Sequence, residues 1–205
     1  MIAKSSIKCV GSLGNYNLND VVSWESMLSS KMFIEGNFNF TSGITATLKA
    51  DSNELFKHPK ETKIILGKFA TFPCLLEADV LMYVPEGMKD FTVILGREIN
   101  KPVVHTKKNL SSGIKYDFEF LSEADHELAE SAEKLFICED VVTTLGSIAG
   151  VRQLLRPEQD VHSLAMLLRG EVDTIYQDGL TEHYLFIREI PTEKDEFHRR
   201  LNEEW

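Results

Sequence analysis

The sequence predicts an α/β protein in which a mainly parallel central sheet is flanked by helices. Short apolar runs of strand length recur at residues 79–84, 135–138 and 161–168, and uninterrupted apolar runs are typical of strands buried on both faces. Between them, residues 90–99 and 148–155 follow the spacing of amphipathic helices. Because strands that alternate with helices return in the same direction, this order favours a parallel sheet.

The N-terminal part of the chain predicts an antiparallel hairpin ahead of this sheet. In residues 33–43, Phe38 and Phe40 alternate with Asn, which is the pattern of a strand with one buried face. A Ser-Gly pair then marks a turn, and residues 44–48 return as a second strand. The remaining predicted elements are helices at 20–32, 53–69, 123–134 and 192–205 and a last strand at 184–187.

Composition excludes several classes of protein. The 205 residues include 43% hydrophobic and 26% charged residues, which is ordinary for one soluble domain. No apolar run approaches the roughly 18–20 residues that span a bilayer, and the start of the sequence lacks the apolar stretch of a secretory signal. A net charge of −10 argues against nucleic-acid binding. Three cysteines without a CxxC pair, and histidines without metal-ligand spacing, suggest neither zinc nor disulfides. We therefore expect a single cytoplasmic domain, residues 1–205, that binds neither membranes nor nucleic acid.

The most informative stretch is residues 135–148. Its apolar strand leads to Glu139 and Asp140, and a hydroxyl-rich turn at residues 143–147 then leads into a helix. Strand, hydroxyl turn and helix form a phosphate-binding arrangement, because N–H groups, hydroxyls and the positive end of the helix meet at one point. Two carboxylates would repel a phosphate, but they suit sugar hydroxyls or a hydrated Mg²⁺. A ligand with a phosphate at one end and a diol nearby is a ribose 5-phosphate.

This stretch resembles the phosphoribosyl-pyrophosphate (PRPP) motif of type I phosphoribosyltransferases, with four apolar, two acidic and two apolar residues before a Thr/Gly/Ser loop. The resemblance implies that Glu139 and Asp140 hold the ribose hydroxyls and bind Mg²⁺ directly or through water. It implies a PRPP site made of Glu139, Asp140, Val141, Val142, Thr143, Thr144, Leu145, Gly146 and Ser147. Within that set, the resemblance assigns the 5-phosphate to Thr143, Thr144, Gly146 and Ser147.

One position departs from the family pattern, because Leu145 stands where the family usually has glycine. Glycine serves where the backbone must approach a ligand closely or take a positive φ. A leucine forced into the left-handed region costs roughly 1–2 kcal/mol. We therefore expect either a loop of different shape or weaker binding of the phosphate.

The turn at Val84, Pro85, Glu86 and Gly87 is a second candidate site, since it joins a predicted strand to a predicted helix. In the family, the equivalent turn binds pyrophosphate through its backbone. An ordinary strand-to-helix turn is the alternative interpretation.

Lys107 and Lys108 follow a short predicted strand at residues 103–105 and could neutralise the same pyrophosphate. Orotate phosphoribosyltransferases have an Arg-Lys pair here, followed by a mobile loop that contains K-x-H-G. Residues 109–117 contain the glycine and serines of a flexible lid but not that motif. A solvated basic turn is the alternative for the two lysines.

The choice of base depends on a narrower resemblance to the orotate phosphoribosyltransferases. Residues 36–43 match their G-x-F-x-x-x-S-G run, which forms part of a hood over the base. This implies that Phe40 and Thr41 lie near the base. Arg169 follows the strand at 161–168, matches the arginine of an Asp-Arg pattern in that family, and could pair with the carboxylate of orotate. A plain surface charge is the alternative for Arg169.

Together, the resemblance implies transfer of the 5-phosphoribosyl group from PRPP to a nucleobase, most simply orotate in pyrimidine biosynthesis. Its implied catalytic residues are Lys107, Lys108 and Asp140, with Mg²⁺ as cofactor and a homodimer as the assembly. The implied architecture is a small N-terminal hood, residues 1–50 plus a C-terminal segment, on a core of residues 60–190. Two alternatives stay open: a phosphoribosyltransferase for another base, and a non-catalytic regulatory protein that binds PRPP.

Overall fold

The computed structural model describes residues 7–9, 33–39, 45–142, 145–169 and 180–188. The predicted helices at 20–32 and 192–205 lie outside these ranges, as do four predicted site residues, Phe40, Thr41, Thr143 and Thr144. None of the helices that the structure describes combines the length and hydrophobicity that a membrane span requires.

The strands of the described ranges form one large sheet and two small ones. They are β1 (Ile7–Cys9), β2 (Phe33–Asn39), β3 (Thr45–Ala50), β4 (Val80–Tyr83), β5 (Val103–Val104), β6 (Thr106–Lys108), β7 (Phe118–Phe120), β8 (Lys134–Val142), β9 (Asp160–Arg169) and β10 (Leu180–Arg188). Six of them form a sheet in the order β1-β10-β9-β8-β4-β5, and every neighbouring pair is parallel. The pairs β2–β3 and β6–β7 are antiparallel.

The helices follow the strands of the large sheet in the order that the sequence predicts. They are α1 (Ser52–Phe56), α2 (Pro59–Phe69), α3 (Pro73–Leu76), α4 (Lys89–Glu98), α5 (Glu123–Ser131) and α6 (Gly146–Arg152). The predicted break at Pro59 separates α1 from α2, because proline has no N–H to continue a helix and is favoured at its first position. A parallel sheet flanked by helices confirms the predicted fold class.

The core consists of two apolar layers, one on each face of the sheet. Successive residues of β8 alternate between them, with Leu135 and Ile137 in one layer and Phe136 and Cys138 in the other. A strand that buries both faces needs apolar residues at every position. This explains why residues 135–138 form an uninterrupted apolar run.

The predicted hairpin is present as β2 and β3, in which Phe33 pairs with Ala50 and Phe38 with Ala46. The pairing shifts between Glu35 and Phe38, as in a β-bulge. Strand β1 corrects the predicted extent of the hood. It lies within residues 1–50 but pairs with β10 at the edge of the main sheet.

Several predicted boundaries differ from the structure, including the ends of β8, α5 and α6. Strand β8 does not stop before the acidic pair but continues through it to Val142. Helix α5 ends at Ser131 rather than residue 134, where the Gln159 amide donates to the carbonyls of Ala129 (2.8 Å) and Ala132 (2.6 Å). Helix α6 ends at Arg152, whose guanidinium donates to three carbonyls of the following turn. These side chains satisfy carbonyls that have no partner within a helix at its C-terminal end.

Candidate functional site

The predicted pyrophosphate turn and the predicted ribose carboxylates lie side by side at the carboxyl end of the sheet. Strands β4 and β8 are parallel neighbours, and the Val84 N–H donates to the Cys138 carbonyl at 2.9 Å just beyond their last paired residues. A Cβ atom added to Gly87 would lie 3.1 Å from the carboxyl atoms of Asp140. A side chain at this position would require the carboxylate to shift by a few tenths of an ångström, because Asp140 lies directly beside the turn.

Hydrogen bonds hold the Asp140 carboxylate from two sides. Its Oδ1 accepts from the Val141 N–H at 2.7 Å, and its Oδ2 accepts from the Ser52 hydroxyl at 2.7 Å. The same hydroxyl lies 3.1 Å from the carbonyl oxygen of Gly87. Sequence reasoning missed Ser52. Asp51 caps the N-terminus of α1, but no sequence pattern identified the distant partner of Ser52.

Glu139 lies in a different environment from Asp140, although the two are adjacent. Only 7% of Glu139 is exposed, and its Oε1 accepts a hydrogen bond from the Asp140 N–H at 3.2 Å. Burial raises the pKa of the Glu139 carboxyl well above its usual range, and the nearby charge of Asp140 adds to the increase. A ligand that donates hydroxyls or carries a cation would relieve this unfavourable charge.

Leu145 adopts the conformation that the sequence analysis judged costly. Its φ of 57° and ψ of 1° place it in the left-handed region immediately before α6 begins at Gly146. Its side chain is 4% exposed and belongs to the same apolar cluster as Val142, Ile148 and Val151. The backbone at Leu145 therefore has the geometry usually given to glycine, and burial of the leucine side chain offsets the strain.

The predicted pyrophosphate turn also contains a non-glycine residue with a positive φ, because Glu86 has a φ of 79°. Val84 before it is buried, and Pro85 and Glu86 lie nearer the surface. A left-handed residue inside a tight turn directs successive backbone N–H groups toward one side, as anion-binding turns require. The turn thus has a backbone suited to phosphate oxygens.

Lys107 and Lys108 lie on β6 and point to opposite faces of the β6–β7 ladder, because side chains alternate along a strand. Lys107 forms an ion pair with Glu119 at 3.2 Å, and both side chains are about half exposed. Lys108 shares its face with Thr106, whose hydroxyl donates to the Tyr83 carbonyl at 2.7 Å. Only the face of Lys108 therefore points toward the core and the end of β4.

The loop between β6 and β7 packs against the start of α6. A Cβ atom on Gly146 would lie 2.7 Å from the ring of Tyr116, and the Lys115 amine lies 4.8 Å from the centroid of that ring. At the other end, Asn109 binds Asp117 through its backbone N–H at 2.9 Å and its side-chain amide at 3.0 Å. The predicted lid segment is thus joined to the predicted phosphate loop through Tyr116, a contact that no sequence signal indicated.

Arg169 is the last residue of β9, one position beyond the pairing of Leu168 with Val142. Its backbone therefore lies at the same edge of the sheet as the acidic pair. The other residues predicted to contact the base, Phe40 and Thr41, lie outside the described residues.

Comparison with known proteins agrees with this geometry. No family model matches the sequence. The chain is 28% identical over 166 residues to uridine 5'-monophosphate synthase of Caenorhabditis elegans, covering 78% of this chain and 32% of that protein. It is 26% identical over 124 residues to orotate phosphoribosyltransferase of Sulfolobus acidocaldarius, covering 60% of this chain and 59% of that protein. The chain thus matches about a third of the first relative and about three-fifths of the second.

Solved structures decide the fold. Orotate phosphoribosyltransferase from Aeropyrum pernix superposes with a TM-score of 0.59 at 18% identity, covering 78% of this chain and 92% of that one. Adenine phosphoribosyltransferase from Leishmania donovani gives a TM-score of 0.62 at 13% identity, covering 93% of this chain and 87% of that one. The chain has the type I phosphoribosyltransferase fold. The resemblance inferred from the sequence is confirmed, with the orotate enzymes among its curated relatives.

The chemistry of the acidic pair fits a metal ion that is held partly by other ligands. Within the described ranges, no group of three or more His, Cys, Asp or Glu residues could hold a metal. Mg²⁺ usually keeps several waters and binds through one or two carboxylates plus substrate phosphates. Glu139 and Asp140, which repel each other electrostatically, fit that mode of binding.

Glu139→Gln is expected to stabilise the ligand-free protein at pH 8 by about 1–2 kcal/mol, which is about 2–8 °C in Tm for a chain of this size. The folded state raises the pKa of this carboxyl above its ordinary value of 4.5. The folded protein therefore holds the proton more tightly than the unfolded chain, and stability falls as pH rises from that ordinary value through the raised one. Glutamine cannot ionise, so the Glu139→Gln protein does not lose this stability as pH rises.

Thermal unfolding followed by circular dichroism between pH 5 and pH 8 would measure this effect. The gain in Tm should shrink toward pH 5, and Glu127→Gln, at an exposed position on α5, should leave Tm nearly unchanged. A Glu139→Gln protein that melts at or below the wild-type temperature at pH 8 would contradict the account.

Proposed function

We propose that the chain transfers the 5-phosphoribosyl group from PRPP to orotate, which forms orotidine 5'-monophosphate and releases pyrophosphate. One observation carries the proposal: the Asp140 carboxylate packs against Gly87 at the edge of the sheet where Leu145 leads into α6. Groups suited to pyrophosphate, ribose and 5-phosphate are thereby brought to one edge. The names of the two curated relatives support orotate as the base.

In the proposed reaction, the bond between ribose C1 and the pyrophosphate oxygen breaks, and the electron pair leaves with pyrophosphate. A ring nitrogen of orotate forms the new bond to C1 as its N–H bond breaks, and the proton is released to pyrophosphate or to solvent. Positive charge develops on the ribose ring and negative charge on the leaving group, so catalysis depends on positioning and electrostatics. Asp140 and Glu139 would hold the ribose hydroxyls, while backbone N–H groups of the turn at residues 85–87 would receive the leaving group.

The other predicted residues have supporting roles in this proposal. The start of α6, with Gly146 and Ser147, would anchor the 5-phosphate, whose binding energy helps to position the reacting carbon. Mg²⁺ bound by the substrate and the acidic pair would neutralise charge on the pyrophosphate. Arg169 would contact the base from the end of β9, and the β2–β3 hairpin would contact it as part of the hood. A homodimer and a cytoplasmic location belong to the same proposal and follow from the resemblance alone.

The test is pyrophosphate release from PRPP and Mg²⁺ with orotate, uracil, adenine, guanine and hypoxanthine supplied separately. Release with orotate alone is the expected result. Release with adenine would keep the mechanism and replace the base, an outcome that the likeness to adenine phosphoribosyltransferase makes worth including. Saturable PRPP binding without release would favour a regulatory protein. Absence of PRPP binding would refute the proposal.

Lys108→Ala is expected to lower kcat/KM for PRPP about 10- to 100-fold, whereas Lys107→Ala should change it less than about threefold. Lys107 is paired with Glu119 on the outer face of the ladder. Lys108 lies on the face shared with Thr106, and no ion pair is found for it among the described residues. Steady-state kinetics on both variants would measure the difference. Equal losses, or a larger loss for Lys107→Ala, would contradict this assignment.

A further inference from the structure

The Ser52 side chain connects parts of the site that are far apart in the sequence. Its hydroxyl lies 2.7 Å from Asp140 Oδ2, which is 88 residues away, and 3.1 Å from the Gly87 carbonyl, which is 35 residues away. The residue is fully buried. A buried hydroxyl that contacts both the predicted ribose carboxylate and the predicted pyrophosphate turn can affect both.

The backbone around Ser52 is itself fixed. Asp51 is the N-cap of α1, and its Oδ1 accepts from the Asn53 N–H at 3.0 Å. Its other oxygen accepts from the amine of Lys49, at the end of β3, at 2.7 Å. An N-cap of this kind stabilises the start of a helix. Ser52 is thus held at a defined position on a short helix, rather than on a freely moving loop.

This contact restricts the orientation of the Asp140 carboxylate. One carboxylate oxygen is held by the Val141 N–H and the other by Ser52, while the Gly87 backbone blocks a third side. Each carboxylate oxygen has a second lone pair, so the group can still accept from a ligand. Without the Ser52 hydroxyl, Asp140 Oδ2 would lose the hydrogen bond from α1, and the carboxylate would be less restrained in its rotation.

We infer that Ser52 is a positioning residue that holds the Asp140 carboxylate against the Gly87 turn, so that ribose and pyrophosphate are bound in one fixed relation. This inference rests on the proposed function. Ser52 acts through Asp140 and does not contact the substrate itself. Its hydroxyl has one hydrogen, and the shorter distance assigns that hydrogen to the carboxylate rather than to the Gly87 carbonyl.

The test is a double-mutant cycle on the full chain with Ser52→Ala, Asp140→Asn and the pair together. Calorimetry with PRPP and Mg²⁺ gives Kd, and steady-state assays with orotate give kcat and KM. Ser52→Ala should raise Kd for PRPP and lower kcat/KM about tenfold, in line with loss of a hydrogen bond to a charged group. In the Asp140→Asn background the same substitution should have little further effect, because its target is already changed.

Two further variants separate positioning from general loosening of the fold. Ser52→Cys keeps the volume of the buried side chain and a weak donor, so it should fold and show an intermediate loss even if the alanine variant unfolds. Thr62→Val removes another partly buried hydroxyl, which donates to the carbonyls of Leu55 and His58 away from the acidic pair. Thr62→Val should leave Kd for PRPP unchanged.

Each other outcome would overturn the inference. Unchanged PRPP affinity in Ser52→Ala, or losses that multiply independently with those of Asp140→Asn, would show that Ser52 does not act through Asp140. An equal loss in Thr62→Val would show a general effect on stability. If wild-type protein bound PRPP normally, these results would refute only the role of Ser52. If wild-type protein bound no PRPP, the proposed function would fail, and the role of Ser52 with it.

Discussion

Replacing Asp140 with Asn is expected to lower kcat/KM for PRPP at least about 100-fold while leaving the fold intact, a loss typical of removing one preorganised electrostatic contact. Asparagine has a single side-chain oxygen. Its NH₂ group must therefore replace an oxygen beside either the Val141 N–H or the Ser52 hydroxyl. The substitution also removes the negative charge beside Gly87. The lost oxygen acceptor and the lost negative charge both lie where ribose and magnesium pyrophosphate would meet.

Steady-state kinetics and calorimetry with PRPP would measure this loss, and thermal unfolding would test that the variant folds. Asp79→Asn is a matched control at the opposite end of β8. There the Asp79 carboxylate accepts from the N–H groups of Glu133 (2.9 Å) and Lys134 (2.8 Å). The control should lower Tm but leave kcat/KM within about twofold, since it lies outside the site. Full activity in Asp140→Asn would remove the central residue from the mechanism.

Gly150→Ala is expected to destabilise the protein by about 3 kcal/mol, at the upper end of overpacking effects, which is about 6–12 °C in Tm for a chain of this size. A Cβ atom at this position would overlap the Tyr116 carbonyl oxygen and would lie 2.7 Å from the Phe118 ring. Relieving this steric overlap requires the backbone of the β6–β7 loop to move away from α6. The gain in helix propensity, roughly 0.5–1 kcal/mol, is too small to compensate.

Gly67→Ala provides the matched control, because Gly67 lies inside α2 and an added Cβ would meet nothing within 4 Å. That substitution should raise Tm by about 1–4 °C from the propensity gain alone. Chemical and thermal unfolding of both variants would measure the contrast. A Gly150→Ala protein as stable as wild type would mean that the loop does not pack on α6 as described.

The parts of the molecule that were predictable from sequence are those governed by local pattern. The uninterrupted apolar run at residues 135–138 predicted a strand buried on both faces, and the structure places alternate residues in the two core layers. The loop after the acidic pair predicted a connection from a strand to a helix that starts at residue 148, and the helix is present but starts at Gly146. Such signals are local, because the residues involved are neighbours in the chain.

The parts that could not be predicted depend on contacts between distant segments. Nothing in the pattern around Ser52 indicates that its hydroxyl reaches Asp140. The two lysines looked equivalent in the sequence, and only the pairing of β6 with β7 separates their faces. The contact of Tyr116 with Gly146 likewise depends on how a hairpin packs against a helix. Tertiary contacts of this kind have no periodic signature.

The left-handed leucine at position 145 also constrains how this sequence can change over evolutionary time. Replacing it with glycine would release roughly 1–2 kcal/mol of backbone strain but would empty a buried leucine site, at a cost of about 2–5 kcal/mol. The replacement is therefore unfavourable by itself and becomes accessible only after a neighbour such as Val142 or Ile148 has enlarged to fill the space. Position 145 and its core neighbours must therefore change together.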